Sequence, residues 1–221
     1  MFTAEAQRTQ RLKKKRRILL VLLMAVVGRG EVVDRIAVTV DQIVITDSDI
    51  VRQIRVAALL DGGRADLGAS ARRQAAGRLI ELALIRREMA LSRYPEPAAE
   101  EIEQQLAQQR NLQWRAQLTV HSLTEEDVRE SLSLVLMTLR FIRFRFRPGI
   151  AAAEEEIEQY YQQKFLPEWR KTGTGTPPAL EDTRADIERI LIDQRVDEAL
   201  AAWLAEARAQ ARIVFREEAF R

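Results

Sequence analysis

The stretch from Leu180 to Phe215 limits what this chain can fold into more than any other. Val196, Ala199, Leu200, Trp203, Leu204, Ala207 and Ala211 recur at steps of three and four, and Leu191 and Ile187 extend the series backward. That spacing puts them on one face of a long α-helix. Pro177 and Pro178 stand just before it, Glu181 and Asp182 at its start, and Arg208 and Arg212 at its end. Each suits a helix terminus and its dipole. The seven side chains from Val196 onward represent roughly 10 kcal/mol of gross burial. Left uncovered they would drive aggregation, so earlier parts of the chain must pack on them. Ile213-Val214-Phe215 follows as a short β-prone tail that needs a strand partner.

The only good partner lies near the other end. Ile36, Val38 and Val40 alternate with Arg35, Ala37 and Thr39 over Asp34 to Val40, the period of a strand. Asp41-Gln42 reads as a two-residue turn, although glycine would suit it better than Gln42. Ile43 to Thr46 is then a second strand. Two strands alone are marginal. The tail is therefore expected as the third, giving a mainly α fold in which a small sheet joins the N-terminal hairpin to the C-terminal strand.

Between those ends the chain reads as helices. Thr46 and Asp49 make a capping box ahead of Ile50, Ile54, Ala57 and Ala58, and Asp61-Gly62-Gly63 ends that helix. A second helix covers about Ala69 to Arg93, apolar almost all round from Leu79 to Ile85 and so contacted on several sides. Gly77 within it implies a close helix approach. Tyr94-Pro95-Glu96-Pro97 breaks the chain before a polar, peripheral helix bearing Ala99, Ile102 and Leu106. Thr124 and Asp127 open the next, with Val128, Leu132, Val135, Leu136, Leu139 and Ile142 as its stripe and Pro148-Gly149 as its stop. Ala152 to Lys164 carries Ile157, Tyr160 and Tyr161. Lys171 to Pro178 is the one clear linker.

The amino terminus sets compartment and charge. Arg11 to Arg17 is almost wholly basic, Ile18 to Val27 is entirely apolar, and Gly28 and Gly30 follow. This order is that of a secretory signal peptide, and ten apolar residues fall short of the about 20 that span a bilayer. An uncleaved anchor is the alternative. Without residues 1–30 the chain keeps 27 basic and 32 acidic residues, a net charge of about −5. The basic pI thus belongs to the export signal and does not argue for nucleic acid. There is no cysteine, which excludes disulfides and thiolate chemistry.

Motifs for catalysis are sparse. His121 is the one histidine and is placed in a polar connecting segment, where it makes neither a triad nor a zinc site. Gly173 and Gly175 have no following lysine and make no phosphate loop. Glu154-Glu155-Glu156 and Glu100-Glu101 open helices, where the dipole favours them. Arg140 to Arg147 interleaves arginine with Phe141, Phe144 and Phe146. It reads as single-stranded nucleic-acid binding, as a helix end with buried phenylalanines and outward arginines, or as part of an apolar groove for a client polypeptide. Export and the acidic mature surface favour the second.

The opening Val32 to Val40, the turn, and Ile43 to Ile50 resemble the first hairpin and helix of SurA-type periplasmic chaperones. Leu79 to Ile85 is similar to their second-helix core, and Glu154 to Tyr161 to the segment that leads into a parvulin prolyl-isomerase domain. Leu180 to Phe215 resembles their returning helix and strand. The family normally places one or more parvulin domains where this chain has only Phe165 to Pro178, too little for a domain of about 50 residues or more. The resemblance implies four parts: a signal peptide over 1–30, a hairpin and helical chaperone core over 31–170, a flexible linker over 171–178 in place of the isomerase, and a helix and strand over 179–221 that complete the core.

It further implies an ATP-independent periplasmic chaperone that holds unfolded or extended polypeptides, such as outer-membrane proteins in transit. Isomerase activity, cofactor, metal and nucleic acid are not expected, and membrane contact is expected only through the export signal or an uncleaved anchor. Large, adaptable side chains suit a promiscuous crevice, so Met89, Met137, Phe141, Phe144, Tyr160 and Tyr161 are the client-binding candidates. Core packing is the rival role for each. The rival functions are a scaffold subunit on the same core and, further off, a basic helical nucleic-acid binder.

Overall fold

A computed structural model describes residues 34–172 and 175–220. The export signal read over 1–30 lies outside the described residues. The strands are β1 (Ile36–Val40), β2 (Ile43–Thr46) and β3 (Ile213–Phe215); the helices are α1 (Asp47–Leu60), α2 (Ala69–Leu91), α3 (Ala99–Gln109), α4 (Trp114–His121), α5 (Glu125–Phe146), α6 (Glu154–Tyr160), α7 (Leu166–Thr172) and α8 (Leu180–Gln210). The fold is mainly helical with one small antiparallel sheet.

The sheet order is β2-β1-β3, so the tail does return to the hairpin. Val38, Thr39 and Val40 lie opposite Phe215, Val214 and Ile213. The turn falls at Asp41-Gln42 as expected, and Asp41 takes the left-handed φ of 52°. Strand alternation fails at the first residue. Ile36 pairs with Thr46 but Val38 with Ile45, so Ala37 is an extra residue, a β-bulge. The bulge turns Ala37 into the core at 0% exposure and leaves Ile36 at 42%.

Beyond β3 a 3₁₀ turn, Glu217–Phe220, buries Ala219 and Phe220 against the sheet and α2. Arg72 fixes this closure. Its guanidinium donates to the Ala219 carbonyl at 2.7 Å and pairs with Asp47 at the start of α1. Arg73 lies over the Phe220 ring, 5.2 Å from its centroid.

The expected capping box at Thr46/Asp49 is present, and Thr124/Asp127, read as a helix start, form a second. Helix α1 has two buried faces rather than one. Ile50 and Ile54 join the sheet cluster, whereas Val56 and Leu59 join a second cluster with Leu106, Trp114, Leu118, Leu123 and Val128. The half-buried Ala57 and Ala58 lie between. A third cluster holds Ile85, Met89 and Phe141, and a fourth Ile157, Tyr161 and Ile187. Helix α8 reaches the first, third and fourth of these, which its 31 residues, about 47 Å long, make feasible.

Several expectations need correction. His121 is not in a connecting segment; it is the half-buried last residue of α4, a helix hidden by its single turn pair of apolar anchors, Trp114 and Leu118. Gly77 marks no close approach: a Cβ there would meet nothing within 4 Å. Nothing in the structure explains this glycine. The expected helix from Ala152 is a longer run, α6 joined to α7 through a π turn at Tyr161–Phe165. That widened turn precedes Pro167, which cannot donate to Gln163 and whose ring would crowd its carbonyl. The linker read over 171–178 loses its first two residues to α7.

The closing turn gives a direct stability test. Phe220→Ala removes a fully buried ring, and should lower unfolding free energy by about 3–5 kcal/mol, read as a lower urea midpoint with unchanged slope.

Candidate functional site

Helix α5 is pinned at both ends. Val128 sits at 0% exposure in the second cluster and Phe141 at 1% in the third. Between those anchors α5 stands away from α1, α2 and β2. The space left is an open groove of about 1000 Å³. Its apolar lining comes from Val44 on β2, Val56 on α1, Leu79 and Leu82 on α2, and Leu134 and Met137 on α5.

Charge surrounds that lining. Arg52 lies 3.3 Å from Asp127 and 3.9 Å from both Asp49 and Glu130. Arg129 bonds Glu103 at 2.7 Å and also pairs with Glu126. At the hairpin end Arg87 bonds Asp41 at 2.7 Å. Burial acts to raise the Asp127 pKa. Hydrogen bonds from the Thr124 hydroxyl and amide, with the Arg52 charge, outweigh it and hold the carboxyl below its usual range. Arg110 first, then the Trp114 indole, lowers Glu125 in the same way. These carboxylates stay ionised and paired. That suits a charged rim, whereas proton transfer near neutrality needs a raised carboxyl pKa. Among the described residues no group of three or more His, Cys, Asp or Glu could hold a metal ion.

The six candidate residues do not come together. Met137 lines the groove. Met89, at 3% exposure, and Phe141 pack in the third cluster, so neither offers surface to a client. Tyr161 is buried in the fourth cluster, with its hydroxyl donating to the Pro178 carbonyl at 2.7 Å; Tyr160 is half-buried beside it. Tyr161 stacks on Phe165, and Phe165 on Trp169, as a ladder within the α6–α7 run. Phe144 is 62% exposed and rests on Tyr94 at 5.4 Å, outside the groove lining.

The Arg-Phe run is thus a helix end in which one phenylalanine is buried, one half-buried against Trp203 and one exposed. The expectation that all three are buried holds only for Phe141. Arg140 pairs with Glu101 at 2.6 Å, and Arg145 lies 3.9 Å from Glu88.

The two apolar groove residues of α5, Leu134 and Met137, escape a single-stripe reading of that helix. The expected stripe ran through Val128, Val135 and Leu139, yet Val135 and Leu139 are 45% and 51% exposed. The groove uses another face, on which Leu134, Met137 and Phe141 follow at steps of three and four. More apolar residues on α5 than one stripe needs was the available signal. The long helix α8 contributes no lining residue, because its Leu200, Trp203 and Leu204 pack with Ile85 and Met89 of α2.

Helices α6 and α8 are joined by charge as well as by Ile157 and Ile187. Glu154 pairs with Arg184, and Glu156 with Arg195. The Arg184 hydrogen bond lowers the Glu154 pKa; the Ala153 amide, then Arg195, lowers that of Glu156. A lowered folded pKa adds stability above the ordinary carboxylate range that is lost as pH falls through the folded value. Acidification should therefore raise hydrogen exchange over 154–172 before it affects the sheet. Arg184→Gln with Arg195→Gln should bring that loosening to neutral pH.

Core and surface aromatics separate by mutation. Phe141→Ala should cost about 3–5 kcal/mol in urea unfolding, and Phe144→Ser within about 0.5 kcal/mol of nothing. No family model matches this chain and no curated protein sequence matches it, so its function is argued from geometry.

Proposed function

We propose that this protein is an ATP-independent chaperone that holds extended or unfolded polypeptides, outer-membrane proteins among them, after export to the periplasm. The observation that carries the reading is the open groove of about 1000 Å³ between β2, α1, α2 and α5, with an apolar lining and a charged rim. Such a surface can cover aliphatic and aromatic side chains of a client without fixing its fold. Met137 gives the wall adaptability, as a flexible thioether repacks around different partners.

The resemblance to SurA-type chaperones supports the same reading. So does the return of the C-terminal strand to the N-terminal hairpin, a feature that resemblance led one to expect. Prolyl-isomerase activity is not part of the proposal. Only Tyr161 to Ala179 separates α6 from α8, and the π turn with α7 occupies Tyr161 to Thr172. The exposed Val135 and Leu139 favour a second reading, a scaffold subunit that uses this face of α5 for assembly.

A client-aggregation assay distinguishes the two. The protein in a few-fold excess over a urea-diluted barrel protein should suppress light scattering without ATP. Val44→Asp with Met137→Gln, both in the groove, should abolish most suppression while keeping the unfolding midpoint near wild type. Unchanged aggregation with wild-type protein sinks the holdase reading. Unchanged aggregation together with self-association that Leu139→Ser abolishes would favour the scaffold face. A proline-peptide assay should show no turnover above the uncatalysed rate.

A further inference from the structure

We infer that the groove takes its client as an added β-strand on the free edge of β2, as an extended apolar segment with a basic side chain at one flank. The inference rests on the chaperone reading and specifies how that same site binds.

Three consecutive residues, Ile43, Val44 and Ile45, border the groove. Successive strand side chains point to opposite faces, so the groove meets the edge of β2 and not one of its faces. Backbone direction shows what that edge offers. The Asp41 amide donates to the Arg212 carbonyl at 2.9 Å and the Arg216 amide to the Ala37 carbonyl at 2.8 Å. Asp41 and, by alternation, Thr39 therefore face β3, whereas Val40 faces β2, opposite Ile43. One residue on, the Val44 N–H and C=O point away from β1. Nothing follows β2 in the sheet, and among the described residues neither group has a backbone partner. The next outward amide, Thr46, is already committed to the Asp49 carboxylate at 2.9 Å. The edge thus presents one open donor and one open acceptor, beside an exposed apolar side chain, at the lip of an apolar groove.

An unpaired edge invites a strand, and β-strand addition recognises main chain while side chains enter neighbouring pockets. Here the opposite wall, Leu134 and Met137 on α5, would take the client's inward side chains. One pair of backbone hydrogen bonds is weak and indifferent to sequence, as a holdase requires.

Charge sets the flank. At the end of β2 next to α1, Arg52 is surrounded by Asp49, Asp127 and Glu130, an excess of two negative charges. A lysine or arginine at that end of the client is favoured. An acidic residue there is opposed.

The test uses the whole protein and a synthetic peptide of roughly nine alternating apolar and polar residues, the length of a membrane-barrel strand, with a lysine at one end. Two further peptides carry N-methyl groups on alternate backbone amides, in one parity or the other. One parity should bind as the parent does and the other about tenfold more weakly. In the parent complex, hydrogen exchange at the Val44 amide should slow. Replacing the lysine by glutamate should weaken binding, most at low salt. Equal binding of the two methylated peptides, or an unchanged Val44 amide in a saturated complex, overturns strand addition and leaves the groove reading intact. Failure of the parent peptide and of unfolded barrel protein alike to bind overturns both.

Discussion

The fold hangs on closure between residues that the chain holds far apart, with β3 zipped to β1 and Phe220 buried beneath the joint. Without it β1 and β2 keep only two strands against α1 and α2, and β1 becomes an open edge. The cost is entropic: bringing together ends separated by nearly the whole described chain precedes any contact that rewards it. The reward combines strand pairing, two buried residues at the tail, and Arg72 satisfying both Asp47 and the Ala219 carbonyl. Helix α8 reduces the problem by delivering the tail on a rigid rod already seated against α2, where Arg208 bonds Glu81 at 2.8 Å and the Gly77 carbonyl at 3.1 Å. Because β3 pairs with β1 on one side, β2 can only be the other edge. The topology that completes the sheet also exposes the strand that borders the groove.

The groove follows from where the apolar anchors lie. Helix α5 has 22 residues and good caps, so it behaves as a beam about 33 Å long. Its anchors, Val128 and Phe141, engage separate clusters that are not built on the same helices: α1 with α3 and α4 at one end, α2 with α8 at the other. A straight helix held at two such points cannot also collapse onto β2 between them. Rim charges oppose collapse as well, because closing the gap would strip water from paired but exposed carboxylates and arginines.

Reading periodicity found what local physics determines: the hairpin, its turn, the capping box at Thr46/Asp49, the helix start at Thr124/Asp127, the long α8 face and the strand partner for the tail. It missed what tertiary context determines. The bulge at Ala37 reverses Ile36 without altering the apolar pattern that suggested burial. Helix α4 is one turn pair long and carries little periodicity. Phe220 drew no reading at all, since nothing local distinguishes a buried phenylalanine from an exposed one. The site was legible in kind and not in place. An apolar crevice between helices was expected, yet five of six candidate residues lie outside the groove lining, because large aromatics fill cores before they line clefts. Phe141 and Met89 were chosen for the size and adaptability that the core had already used.

The division between core and groove also bears on self-pairing at such a surface. Val44, Leu134 and Met137 are not deeply buried, and a flat patch of this character on an edge strand would pair with its copies. Here the edge is only four residues long, its last amide is capped by Asp49, and its open groups lie at the lip of a groove whose opposite wall is a helix. On the strand-addition reading, α5 opposite the edge would hinder pairing with the edge of a second folded copy and admit a single extended chain. The helix opposite the edge, more than the chemistry of its side chains, is what would let one surface refuse itself and accept an unfolded polypeptide.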